Sequence, residues 1–104
     1  MKAALLTSHG GNEVLSVGSL PDPVPGPGEV LVKISAAALN RLDLFVRNGI
    51  PGVPVAFPHV PGADGCGTIE ALGDGVRDVA VGERVVLQPG VSCGSCEFCR
   101  DGER

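Results

Sequence analysis

The chain has 104 residues, 16 of them glycine and 9 proline, and a formal net charge of −4. That length gives one small domain with a modest core, and it is too short for a nucleotide-binding half beside a catalytic half. The acidic balance offers no basic stripe for phosphates, which excludes nucleic acid as a partner and disfavours an anionic membrane surface.

Lys2 to Thr7 is a short apolar run, and His9-Gly10-Gly11-Asn12 is turn chemistry, so a strand followed by a tight reversal is predicted. Val14 to Leu20 then reads as its edge or hairpin partner. Met1 to Thr7 has no cleavage-type ending and no apolar segment reaches bilayer-spanning length, which predicts a cytoplasmic protein with no membrane partner. Residues 21–28 carry four prolines and cannot join a sheet interior, because proline has no ladder donor. They form a stiff surface crossing.

From Glu29 to Ala37, Val30, Val32 and Ile34 alternate with Leu31, Lys33 and Ser35, the period of a half-buried strand. Leu39, Leu42, Phe45 and Val46 then fall at helical spacing, and Gly49-Ile50-Pro51-Gly52 stops the pattern, so a helix of one or two turns is predicted over Arg41 to Val46. Val53 to Pro61 is a loop broken by proline. Pro61-Gly62-Ala63-Asp64-Gly65-Cys66-Gly67 follows, a glycine-rich approach to a strand over Cys66 to Leu72, where backbone must take unusual angles or pass close to something. Glu83 to Leu87 supplies the last strand. The predicted class is mainly β: five or so short strands with one small helix, in a small, partly open β-barrel.

Four cysteines in a chain without a leader favour reduced thiols over disulfides. Cys93, Cys96 and Cys99 recur every three residues, which lets one loop wrap a single tetrahedral ion such as zinc. A reduced thiol cluster is the alternative. No fourth ligand stands among Arg100 to Arg104, so residues 91–104 are predicted to be the start of a protruding zinc lobe, with Phe98 packing it onto the domain.

The order of these motifs carries a resemblance. Gly10-Gly11 with Glu13 to Leu15, the run Pro25 to Lys33, the block Ala38 to Gly49, Pro61 to Ile69 and finally Cys93 to Cys99 together resemble the medium-chain dehydrogenase/reductase superfamily. The similarity spans essentially residues 1–104, which correspond to the N-terminal, GroES-like half of that family's catalytic domain. The resemblance implies a GroES-like β-barrel, a longer parent with a Rossmann domain for NAD(P)H, structural zinc on the cysteine loop, and a homo-oligomer.

In the zinc-dependent alcohol dehydrogenases of that family a Cys stands where this chain has Asn40, and a His-Glu pair where it has Ala63-Asp64. Ala63 offers no lone pair and Asn40 only a neutral oxygen, which implies that catalytic zinc is absent. Leu42 and Phe45 stand in place of the proton relay. Asn40 with Asp43, Arg47 and Gly49 resembles the quinone-oxidoreductase and enone-reductase branch instead. The candidate catalytic residues by this resemblance are Asn40, Asp43 and Asp64, with Asn40 and Arg41 facing the cofactor; the substrate would be a small carbonyl, enone or quinone.

Each residue also has a plainer reading. Asn40 can cap the helix, Arg41 can be a solvated cation, and Asp43 and Arg47, four apart, can pair as scaffold. Asp64 is expected to bond loop amides or an arginine. Cys66 reads as a small buried residue, and His9 and His59 as turn and loop packing. Two rival functions remain: an alcohol dehydrogenase with unusual zinc ligands, and a chaperonin-like or zinc-ribbon interaction module without cofactor. The stretch lacks any Gly-rich pyrophosphate cradle, so on its own it is expected to show no turnover.

Overall fold

The computed structural model describes residues 1–102. Strand β1 (Lys2–Leu6) pairs antiparallel with β2 (Leu15–Ser19), from Lys2 opposite Ser19 to Leu6 opposite Leu15. The reversal between them is wider than the turn chemistry predicts. A 3-10 turn at Asn12–Val14 folds Val14 inward to join Leu5 and Leu6 in the core, and the Thr7 N–H closes the loop on the Val14 carbonyl at 3.2 Å. Burial of one valine thus outweighs the compact turn.

Strands β3 (Val30–Ala38), β4 (Asp64–Leu72) and β5 (Arg84–Val86) form a second, wholly antiparallel sheet in that order. The expected alternation along β3 does not give one buried face. Irregularities between Leu31 and Val32 and between Ile34 and Ala36 break the period, and Val30 and Ile34 end up exposed. A bridge from Leu6 to His59, with N–H···O distances of 2.8 and 3.0 Å, ties the first sheet to the loop before β4. The two sheets do not close into one ladder, so the β architecture stays partly open, as the sequence predicts.

Strand β4 begins at Asp64, two residues before the predicted start, and so takes in most of the glycine-rich stretch. Gly67 explains why glycine is needed there: a Cβ on it would lie 2.0 Å from the Lys33 carbonyl oxygen of β3. The close approach inferred from sequence is therefore to a neighbouring strand rather than to a ligand.

Helix α1 (Arg41–Asn48) runs two turns and stops at Gly49, whose φ of 97° suits glycine and whose N–H reaches the Phe45 carbonyl at 2.9 Å. A single turn, α2 (Glu97–Arg100), lies inside the cysteine loop, where no helix is predicted. It turns Cys99 inward and leaves Phe98 exposed at 63 %, which corrects the expectation that Phe98 packs the lobe. Neighbours on a helix point about 100° apart, so both cannot face the same way.

The core is thin. Leu5, Leu6, Val14, Ile69 and Cys99 are its buried members among the described residues, whereas Leu39, Leu42, Phe45 and Val86 are exposed. Accessible surface is 7815 Å², against about 5,400 Å² for a compact domain of this mass. The radius of gyration, 15.6 Å, likewise exceeds the roughly 13 Å typical of about 100 residues.

Candidate functional site

Two places gather chemistry, the mouth between α1 and β4 and the cysteine loop. The register of β3 on β4 ends with Ala38 opposite Asp64, so the chain leaving β3 turns into α1 directly beside the start of β4. Asn40 occupies the N-cap in extended conformation, φ −126° and ψ 162°. Its side-chain Nδ2 donates to Asp64 Oδ2 at 2.6 Å, and its backbone N–H donates to Asp43 Oδ2 at 2.8 Å. One asparagine is held by two carboxylates.

These bonds revise the sequence reading. Asp64 meets the Asn40 carboxamide rather than loop amides or an arginine. Asp43 supplies the returning half of a capping box and does not pair with Arg47. Arg47 instead donates from Nε to the Gly10 carbonyl at 3.2 Å, from Nη1 to Asn12 Oδ1 at 2.6 Å and from Nη2 to Asn48 Oδ1 at 3.2 Å. The ion pair of the Met1 amino group with Asp22, at 2.8 Å, is the only one among the described residues. A guanidinium offers five donors in a fixed fork, and one carbonyl with two asparagine side chains satisfies more of them than one aspartate does.

Asn40, Arg41 and Asp43 line a hollow of about 370 Å³ together with Leu39 and Leu44. Asp64 borders a second, largely apolar hollow of about 310 Å³, walled by Ala36 to Ala38, Cys66 and Val86. The bonded couple thus contributes one residue to each hollow. Arg41 is exposed, and Cys66 is half-buried on β4. Asp64 and Cys66 lie two residues apart on a strand and share its face. Ala63 is half-buried and has no ligand atom. As a donor set for a soft cation, a carboxamide and a carboxylate are poor, because zinc prefers thiolate and imidazole.

His9 and His59 serve packing, as predicted. His9 Nδ1 lies 3.1 Å from the Val46 carbonyl and its ring meets Phe57 edge-on at 5.0 Å, while His59 takes part through its backbone.

In the cysteine loop the three sulfurs of Cys93, Cys96 and Cys99 lie within 4.8 Å of one another. The Cys96 N–H points at Cys93 Sγ from 3.3 Å and the Ser95 hydroxyl from 3.8 Å. Backbone donors from Ser95 and then Cys96 bring the Cys93 thiol down to about 6 from its ordinary value near 9. A thiolate is the metal-binding form, so the donor set fits three of the four ligands of a structural zinc. No helix among the described residues is long and apolar enough to cross a membrane.

Sequence reasoning puts Asn40 at the start of the helix and Asp64 just short of its strand, and misses how these residues pair. Asn40 and Asp64 stand 24 positions apart, and Arg47 and Asn12 stand 35 apart, on different elements. No local period signals such contacts.

The model of the alcohol dehydrogenase GroES-like domain matches residues 26–104. A solved NAD-dependent alcohol dehydrogenase is 51% identical, with a TM-score of 0.93 over 99% of this chain and 30% of its own. A cobalt- and zinc-bound thermostable alcohol dehydrogenase from Pyrobaculum aerophilum is 38% identical, with a TM-score of 0.89 over 99% of this chain and 31% of its own. The quinone oxidoreductase of Rattus norvegicus is 37% identical over 99 residues, 94% of this chain and 30% of that protein. The chain therefore spans under a third of the length of these relatives.

Proposed function

Because this chain belongs to the alcohol dehydrogenase GroES-like domain family, we propose that it is the N-terminal catalytic-domain portion of an NAD(P)-dependent oxidoreductase. In this reading the enzyme has no catalytic zinc and reduces a small carbonyl, enone or quinone. The observation that carries the proposal is the Asn40 to Asp64 bond at 2.6 Å beside Ala63. Of the positions where the resemblance puts the zinc-dependent relatives' metal ligands, Asn40 bonds Asp64 and Ala63 has no ligand atom.

A nicotinamide cofactor supplies the hydride when bound. The residues of this chain bind and orient. Asn40 positions the nicotinamide or the substrate at the mouth, and a neutral amide suits a reaction in which no metal polarises the carbonyl. Arg41, exposed on the same hollow, meets the pyrophosphate through its planar fork. Leu39 and Leu44, both exposed on that hollow, exclude water once the cleft is covered. Cys93, Cys96 and Cys99 hold a structural zinc away from the chemistry. Relatives bearing both alcohol dehydrogenase and quinone oxidoreductase names support the reaction type and leave the substrate class to assay.

The full-length protein provides the test. NAD(P)H oxidation driven by a quinone or an enone, with one zinc per chain, is the expected result. Two zincs per chain with alcohol oxidation would instead make it an alcohol dehydrogenase with unusual ligands. The 104-residue stretch alone is expected to oxidise no NAD(P)H, since it has no pyrophosphate cradle.

A further inference from the structure

We propose that Asp64 is a positioning residue that acts through Asn40, fixing which end of the carboxamide stands toward β4 and which toward the ligand; this deepens the function proposed above and rests on it. An asparagine side chain has two ends of nearly equal shape and opposite hydrogen-bonding sense, so an unrestrained Asn40 would present either. An ionised aspartate accepts only. The atom 2.6 Å from Asp64 Oδ2 must therefore be Nδ2, since an oxygen there would repel it.

The restraint is double. Asp43 Oδ2 takes the Asn40 backbone N–H at 2.8 Å and sets where the N-cap sits, while Asp64 sets how the amide is turned. The two carboxylates come from different elements, α1 and β4, so the amide is fixed relative to the sheet as well as to its own helix. No cation pairs with Asp64 among the described residues, which leaves its charge to polarise the one amide it touches. A carboxylate on one N–H strengthens the remaining hydrogen bonds of that amide. The lock thus both orients Asn40 and sharpens it toward whatever it contacts.

The experiment uses the full-length protein and a double-mutant cycle on kcat/KM with NAD(P)H and a quinone or enone acceptor. Asp64→Ala and Asp64→Asn should each lower kcat/KM by about 10- to 100-fold, as loss of an orienting partner does elsewhere. Asp64→Asn keeps the shape but lets both amides turn, so a loss in that isosteric variant marks orientation rather than packing. In an Asn40→Ala background, Asp64→Ala should cost no more than a further factor of about two, because its route of action is already gone. Multiplying losses, or wild-type activity in both Asp64 variants, would overturn the proposal.

A second readout needs no turnover. In 15N-labelled protein one Asn40 side-chain proton should be shifted downfield and exchange slowly, and both features should vanish in Asp64→Asn. Absence of that signature in the wild type overturns the lock even if the enzyme is active. Absence of NAD(P)H oxidation in a wild type that carries the signature overturns the function and leaves the lock standing.

Discussion

The two ends of helix α1 are held in unlike ways. At its C-terminal end Arg47 sends three donors to Gly10, Asn12 and Asn48, the Gly10 N–H returns to the Arg47 carbonyl at 3.0 Å, and His9 meets the Val46 carbonyl. That end is closed on a loop of its own domain. At the N-terminal end Asn40 is fixed by two carboxylates, with Leu39 91 % exposed and a hollow beside it. One end is spent on structure and the other left open with its polar atoms set. Eight residues suffice for both duties because the bonds at each end reach different parts of the sheet system.

The sharpest way to break this division is Arg47→Ala. It removes a charged donor set with one part-buried bond, to Gly10, and two exposed ones, and should cost about 2 kcal/mol, read as a lowered urea midpoint with cofactor affinity in the full-length protein unchanged. Arg47→Lys should recover little of the loss, since a point charge cannot reproduce the fork. Gly49→Ala acts at the same end: with φ at 97° and the His9 ring 3.2 Å from the added methyl, it should cost about 1.5 kcal/mol by the same measurement.

Asp43→Ala probes the opposite end. Loss of the capping acceptor should cost about 1 kcal/mol and raise amide exchange in the first turn of α1, leaving Gly10 and Gly11 protected. If exchange rises at both ends together, the helix is a single unit and the division fails.

The smallest effect is a pH response at the closed end. The backbone N–H groups of Glu13 itself and of Gly11, then the charge of Arg47, hold the Glu13 carboxyl below the usual range. A depressed carboxylate stabilises the folded loop above its unfolded value, and that contribution is lost as pH falls through the folded one. Between about pH 5 and pH 3, exchange at Gly11 should increase relative to a Glu13→Gln variant.

Much of the element order is legible from sequence because it depends on local rules. Proline forbids the ladder over residues 21–28, glycine stops α1, and cysteines three apart must share a loop. Strand burial along β3 is not legible, because the bulges that break its period come from pairing with β4. The same holds for the site. Asn40, Asp43 and Asp64 are singled out through the family resemblance, but their pairings depend on which strand ends beside which helix. Arg47 is the plainest case, since the nearest opposite charge in sequence loses to Gly10 and Asn12, two loop acceptors far along the chain.

The uncovered surface has a colloidal consequence. The excess over a compact domain, about 2,400 Å², equals roughly three faces of about 800 Å² each, the share one partner buries in an ordinary interface. A net charge of −4 is modest repulsion to set against so large an exposed surface, and salt screens it. In solution this stretch by itself is expected to self-associate more as ionic strength rises, which light scattering at low and high salt checks.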